Sequence, residues 1–306
     1  MKLKKFFEDL LAKLEYRPIQ VFMRHFQSAE MDLSAIAVAY YLLVTAFPLL
    51  VIAANIFPYF HINVSDLLSL MQKNLPKNIY EPASRLAVDA FSKPSTGILG
   101  FASLTAFWTM SKSLTSLQKA INKAYGVDQH RDFVISRLVG VGTGLIILFL
   151  LTFVLIFSTF SKPVLQIIVN MYDLGDTLTA WLLNLAQPVT FLTIFLGIGI
   201  LYFILPNARI RKIRYVIPGT LFSTFVIGFF SNLISQYVLN RVEKMVDIKT
   251  FGSVVIFILM LWFIFLTHIM ILGAILNASV QEIATGKIES RRGDIMSLIQ
   301  KSKEEK

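Results

Sequence analysis

Stretches without a single Asp, Glu, Lys or Arg alternate along this chain with short charged segments. The charge-free windows are 33–65, 94–111, 138–161, 177–208, 215–240 and 250–281. Each reaches the roughly 18 residues at which an apolar segment becomes a candidate for crossing a bilayer. Leu33 to Phe57 alone runs 25 residues without a charge. As a helix it extends about 37 Å, enough for a hydrocarbon core of about 30 Å with some tilt. The pattern predicts an all-α, polytopic membrane protein with six transmembrane helices, near 33–57, 94–111, 138–161, 184–205, 216–240 and 251–280. The second helix should continue past Lys112, because good helix formers run on to Tyr125 and Gly126 is a natural stop.

The polar segments set the expected topology. Those at 1–32, 112–137, 209–214 and 282–306 hold 21 Lys and Arg, against 8 in the segments on the other side. By the positive-inside rule both termini are expected in the cytoplasm. Residues 1–32 read as a cytoplasmic amphipathic segment and 282–306 as a charged cytoplasmic tail, flanking a membrane domain over 33–281. Phe6, Phe7, Leu10, Leu11 and Leu14 recur at helical spacing, predicting a helix on the membrane surface that ends at Pro18. Asp32 is placed to cap the first span. In the first outer loop, 65–75 and 80–93 read as short amphipathic interfacial helices or as a plain connector.

Polar residues within the spans are the candidate chemistry. Tyr40, Tyr41 and Thr45 precede Pro48, which leaves the Val44 carbonyl without its helical donor, with Thr45 a local candidate to supply one. This is a packing kink or a cavity wall. Trp108 precedes a polar face in which Ser111, Thr115, Gln118 and Asn122 share one side of a helix. That face lines an opening or is the wet side of a protruding helix. Asn232 and Gln236 lie near the outer end of the fifth span, where amides should look into the bundle. His268 reads as the one ionisable side chain clearly inside the hydrocarbon region, marking a functional site or bonded neutrally to a neighbouring helix.

Composition removes several classes of function. Cysteine is absent, which excludes structural disulfides, thiolate metal sites and thiol nucleophiles. The net charge of +10 follows topology and suits anionic inner-leaflet lipid better than nucleic acid. The four His are scattered, and Asp128 to Asp132 is the sole compact polar cluster. No catalytic residue, metal site or cofactor is expected.

DLSAIAVAYYLLVTAFPLL, FWTMSKSLTSLQKAINKAYG, LYFILPNARIRKIRYVIPG and FGSVVIFILMLWFIFLTHIMILGAILNA occur in that order. Together they resemble the YihY/BrkB-type membrane proteins over residues 25–285. The resemblance implies a six-helix protein of the bacterial cytoplasmic membrane, in a family once labelled ribonuclease BN. Its motifs fall on Asp32, Tyr40, Tyr41 and Pro48; on Trp108, Asn122 and Tyr125; on Tyr202 and Pro206; and on Gly252, Trp262, Gly273, Ala274 and Asn277. Ile275 stands where family members often carry Glu, which removes an intramembrane carboxylate.

These readings lead to a non-enzymatic transporter or flippase-like carrier of an amphiphilic or lipid-linked envelope substrate. Its cavity would be lined by Tyr40, Tyr41, Thr45, Pro48, Trp108, Ser111, Asn122, Asn232, Gln236 and His268. Lys112, Lys119, Arg209, Arg211 and Arg214 would hold a phosphate headgroup or anionic lipid at the cytoplasmic mouth. The alternatives are a non-transporting scaffold for lipid or a partner protein, and, more remotely, a membrane-associated ribonuclease.

Overall fold

The structure, a computed structural model, describes residues 17–56, 64–74, 80–81, 84–85, 87–88, 95–127, 138–150, 152–153, 186–242 and 248–290. Its elements are α1 (Arg17–Ser28), α2 (Met31–Ile56), α3 (Val64–Asn74), α4 (Thr96–Tyr125), α5 (Leu138–Leu150) and α6 (Ala186–Ile204), then a 3-10 turn (Ile213–Tyr215), α7 (Ile217–Val242) and α8 (Ile248–Thr285). Among the described residues no strand forms, and extended backbone pairs at one bridge, Ala208 with Ser290.

Local chemistry explains the helix ends. α4 stops where Gly126 takes φ 62. The Gly126 and Val127 amides then fold back onto the Lys123 and Asn122 carbonyls at 3.0 and 3.1 Å, satisfying the end of the helix. α6 stops two residues before Pro206, whose ring disfavours helix in the residue it follows. Pro48 is accommodated inside α2. The Thr45 hydroxyl there donates to the Tyr41 carbonyl at 2.6 Å, three residues before the Val44 carbonyl it was expected to serve. Pro18 sits in the first turn of α1, where a missing N–H costs nothing. The predicted helix over residues 6–14, most of the second outer-loop helix and the end of the third span lie outside the described residues.

Among the described residues two helices are long and apolar enough to cross a membrane, Met31–Ile52 and Ile256–Thr285, and only 22% of each window is buried. The central helix of a water-soluble domain would be largely covered. Here Leu33, Phe101, Leu104, Phe149 and Phe225 are all more than 70% exposed. So much outward apolar surface requires lipid around it. The protein is an α-helical membrane protein.

The chain forms two compact units. One, the α6 unit, comprises Met1–Met31, Gln118–Gly228 and Ile269–Lys306; the other, the α2 unit, comprises Asp32–Leu117 and Phe229–His268.

In the α6 unit, α7 and α8 cross at Gly219 and Gly273. A Cβ on Gly219 would fall onto the Gly273 carbonyl, and one on Gly273 would strike the Tyr202 and Ser223 hydroxyls. Missing side chains therefore allow backbone-to-backbone approach. Polar atoms lock the crossing. The Gly219 amide donates to Asn277 Oδ1 at 2.6 Å. Fully buried Tyr202 donates to the Met270 carbonyl at 2.7 Å and meets Ser223 Oγ at 2.7 Å. In the α2 unit, Asn55 at the end of α2 accepts from the Ser95 amide at 3.1 Å, just ahead of α4.

Candidate substrate site

Within the α2 unit, the Lys112 ammonium lies over two aromatic faces, 5.4 Å from the Trp108 ring centre and 5.7 Å from that of Tyr41. Trp108 is one helical turn before Lys112 on α4, so helix geometry brings ring and cation together. Tyr40 meets Tyr41 edge-on at 5.3 Å and, like Trp108, is more than half exposed. Tyr41 is nine residues beyond Asp32, about 14 Å along the α2 axis. Lys112, which ends the charge-free window of α4, is therefore held against the apolar run of α2. Among the described residues no carboxylate pairs with it. Cation–π contacts of about 0.5–2 kcal/mol steady an ammonium. They leave its N–H groups free for an anionic oxygen.

A second polar feature of this unit is His268, whose Nδ1 donates to the Ile264 carbonyl at 2.9 Å and whose Nε2 meets Asp32 Oδ1 at 3.1 Å. The Asp32 side chain is 93% exposed. The contact corrects one sequence reading. Asp32 lies within the first turn of α2 and bonds His268. His268 itself lies within the apolar stretch Ile256–Thr285 of α8. From His268 back to Ile248, α8 covers about 30 Å, one hydrocarbon thickness.

The remaining predicted residues are dispersed. Thr45, Pro48 and Ser111 are buried. The polar face of α4 is neither wet nor open: Ser111, Gln118 and Asn122 are at most 4% exposed. Gln118 Nε2 donates to the Leu205 carbonyl and Asn122 Oδ1 accepts from the Asn207 amide, each at 2.7 Å. Asn122 is thus engaged in holding the chain that follows α6. The side chains of Asn232 and Gln236 lie outside those described, as does the Asp128 to Asp132 cluster. Lys119 is exposed. Arg209 and Arg211 share Glu289 at 3.3 and 3.2 Å. Arg214 donates to the Tyr215 hydroxyl at 3.1 Å. Of the predicted headgroup cations, Lys112 belongs to the α2 unit and the other four to the α6 unit.

Sequence reading missed one cluster altogether. In the α6 unit, Arg24 and His25 of α1 both engage Glu282 of α8, His25 Nε2 at 2.7 Å from Glu282 Oε2. They border a pocket of about 310 Å³ with Ser28, Tyr125 and Lys287. Burial, ahead of the opposing pull of Glu282, holds the His25 imidazole below its ordinary value. The partners are 257 residues apart, so no local motif announces them.

These features define a helical membrane protein with a cation–aromatic site in one unit and a hydrogen-bonded helix crossing in the other. Comparison with known proteins gives the family. The profile of the virulence factor BrkB family matches residues 22–295, and the chain belongs to that family, also called BrkB/YihY. It is 24% identical over 240 residues to YfkH of Bacillus subtilis (strain 168), a protein named as ribonuclease-like, covering 78% of this chain and 86% of that protein. No solved structure matches the chain.

Proposed function

We propose that the protein is a transporter or flippase-like carrier of an amphiphilic, phosphate-bearing lipid-linked substrate. The observation that carries this reading is Lys112, a cation held on the Tyr41 and Trp108 faces against the apolar run of α2 and without a carboxylate partner among the described residues. An ionisable group so placed is costly unless it serves a ligand or a pathway. Aromatic walls suit an apolar tail, and an ammonium suits a phosphate. The open Asp32 carboxylate beside His268 offers a second point of charge at the level where α2 enters its apolar run. In this reading six helices cross the bacterial cytoplasmic membrane with both termini inside, in keeping with the Lys and Arg asymmetry, and anionic inner-leaflet lipid surrounds the basic ends. The protein is not an enzyme in this reading. RNA does not reach side chains inside a bilayer, so the ribonuclease-like name of YfkH does not transfer here.

A scaffold for lipid or a partner protein is the second reading. It is favoured by the motif residues Asn122, Tyr202 and Asn277, each of which hydrogen-bonds another part of the chain. Native mass spectrometry of the protein released from mild detergent separates the two. The carrier should retain one phosphate-bearing amphiphile at fixed stoichiometry, lost in Lys112→Leu with helical content unchanged. Heterogeneous bulk phospholipid or a second polypeptide in its place would put the scaffold first.

A further inference from the structure

A groove of about 290 Å³ runs along the end of α6 and the start of α7, lined by Leu196, Ile200 and Phe203 on one side and Ile213, Val216 and Ile217 on the other. Its one polar lining side chain, Thr220, turns its hydroxyl to the Val216 carbonyl at 2.7 Å. The groove therefore offers carbon to whatever fills it. Ile213, 70% exposed, stands at its loop end between Lys212 and Arg214 in sequence, and both of these are exposed. Among the described residues no carboxylate pairs with either, whereas neighbouring Arg209 and Arg211 are both engaged by Glu289.

The segment carrying these cations is fixed in place. Gln118 holds the Leu205 carbonyl, Asn122 the Asn207 amide and Gln281 the Arg209 carbonyl, the last at 2.9 Å. The Arg209 amide donates to the Glu289 carbonyl at 2.7 Å, and Ala208 bridges Ser290. A loop so tied has little conformational freedom left to lose on binding, which favours recognition.

We propose that this groove and its basic rim bind one anionic glycerophospholipid, with an acyl chain along α6 and α7 and the phosphate between Lys212 and Arg214. Charge selects the occupant. A zwitterionic lipid could fill the apolar groove equally well, but its own cation would face Lys212 and Arg214. The site lies wholly in the α6 unit and does not depend on the carrier reading of Lys112.

The test is a lipid titration of the delipidated full-length protein, followed by native mass spectrometry, with dioleoylphosphatidylglycerol against dioleoylphosphatidylcholine. The expected result is one saturable phosphatidylglycerol, preferred over phosphatidylcholine by roughly tenfold or more, as two cations near the membrane surface would give. The preference should disappear in the double variant Lys212→Gln/Arg214→Gln, whose side chains are exposed and leave the fold intact. Ile217→Trp, which fills the groove, should lower occupancy by both lipids. Lys112→Gln should leave the preference unchanged, which separates this site from the carrier site. Equal occupancy by both lipids, or an unaltered preference in the double variant, would overturn the proposal. So would competition by inorganic phosphate as effective as that by lipid, because the loop would then be an anion site without a groove.

Discussion

In the α6 unit, carboxamides end on backbone: Gln118 on Leu205, Asn122 on Asn207, Asn277 on Gly219 and Gln281 on Arg209. In the α2 unit, Lys112 ends on two aromatic faces, and Asp32 touches His268 while most of its carboxylate stays open. Both arrangements place polar groups among apolar helices. The first ends on backbone and fixes it, although Asn277 Nδ2 and Gln281 Oε1 are buried with no partner among the described residues. The second leaves hydrogen-bonding capacity for something outside the chain. Motif membership does not distinguish them, since Tyr41 and Asn122 belong to the same resemblance and differ in what they touch.

The contrast can be attacked first at its most rigid point. Gly273→Val should be the most damaging change, since its side chain would have to displace Tyr202, Ser223 and the Gly219 carbonyl together. Overpacking of this kind costs about 3 kcal/mol or more. The expected result is loss of monodisperse protein on size exclusion; a well-folded Gly273→Val would show the crossing to be looser than described. Next comes Asn277→Leu, which leaves the buried Gly219 amide without its acceptor. A cost of about 1–3 kcal/mol should appear as a lowered midpoint of thermal unfolding in detergent.

A pH series probes the α1 contact. His25 is faced by Arg24, Glu282 and the backbone of Ala124, and burial holds it below the ordinary imidazole range. The folded protein therefore declines a proton that the unfolded chain takes up near pH 6.5, by the usual histidine value of about 6.5. The contribution of His25 is complete above that pH and declines as pH falls below it toward the folded value. The melting temperature should drop on going from about pH 7 to about pH 5.5, and His25→Asn should flatten that slope.

Modest too is the expected stability effect of Lys112→Leu, about 1–2 kcal/mol, because it removes only cation–π contacts. Its effect on the retained amphiphile should nevertheless be complete. A variant that unfolded would move Lys112 to the structural side of the comparison. The smallest change is Lys123→Gln, which removes a surface pair with Glu30. Exposed pairs of this kind contribute about 0–1 kcal/mol, so melting should barely shift.

Much of the helical framework was legible in the sequence because its signals are local. Charge-free windows located the apolar segments, Gly126 located the end of α4, and Pro206 with Asn207 located the end of α6. The site was legible only in its residue types. Tyr41, Trp108 and Lys112 could each be named as candidates, but their meeting depends on how α2 and α4 lie together, and no periodicity within one helix encodes that. The polar face of α4 could be seen as a stripe, yet its partners are carbonyls and amides of Leu205 and Asn207, backbone groups present at every residue and therefore silent in sequence. Asp32 looked like a helix cap because that role is local; its bond to His268 spans 236 positions.

The pairing of Arg24 and His25 with Glu282 also has a consequence for how the protein is made. Synthesis runs from the amino terminus, and domains generally form as they emerge. For the 257 residues that separate His25 from Glu282, the ribosome has not yet delivered the acceptor that α1 needs. Throughout that interval the nascent chain carries an unmatched pair of basic groups, and they find their carboxylate only after nearly all of α8 has been threaded into the bilayer. Completion of this contact thus reports that translation has passed most of α8, and chains cut short before Glu282 remain chemically distinguishable from longer ones.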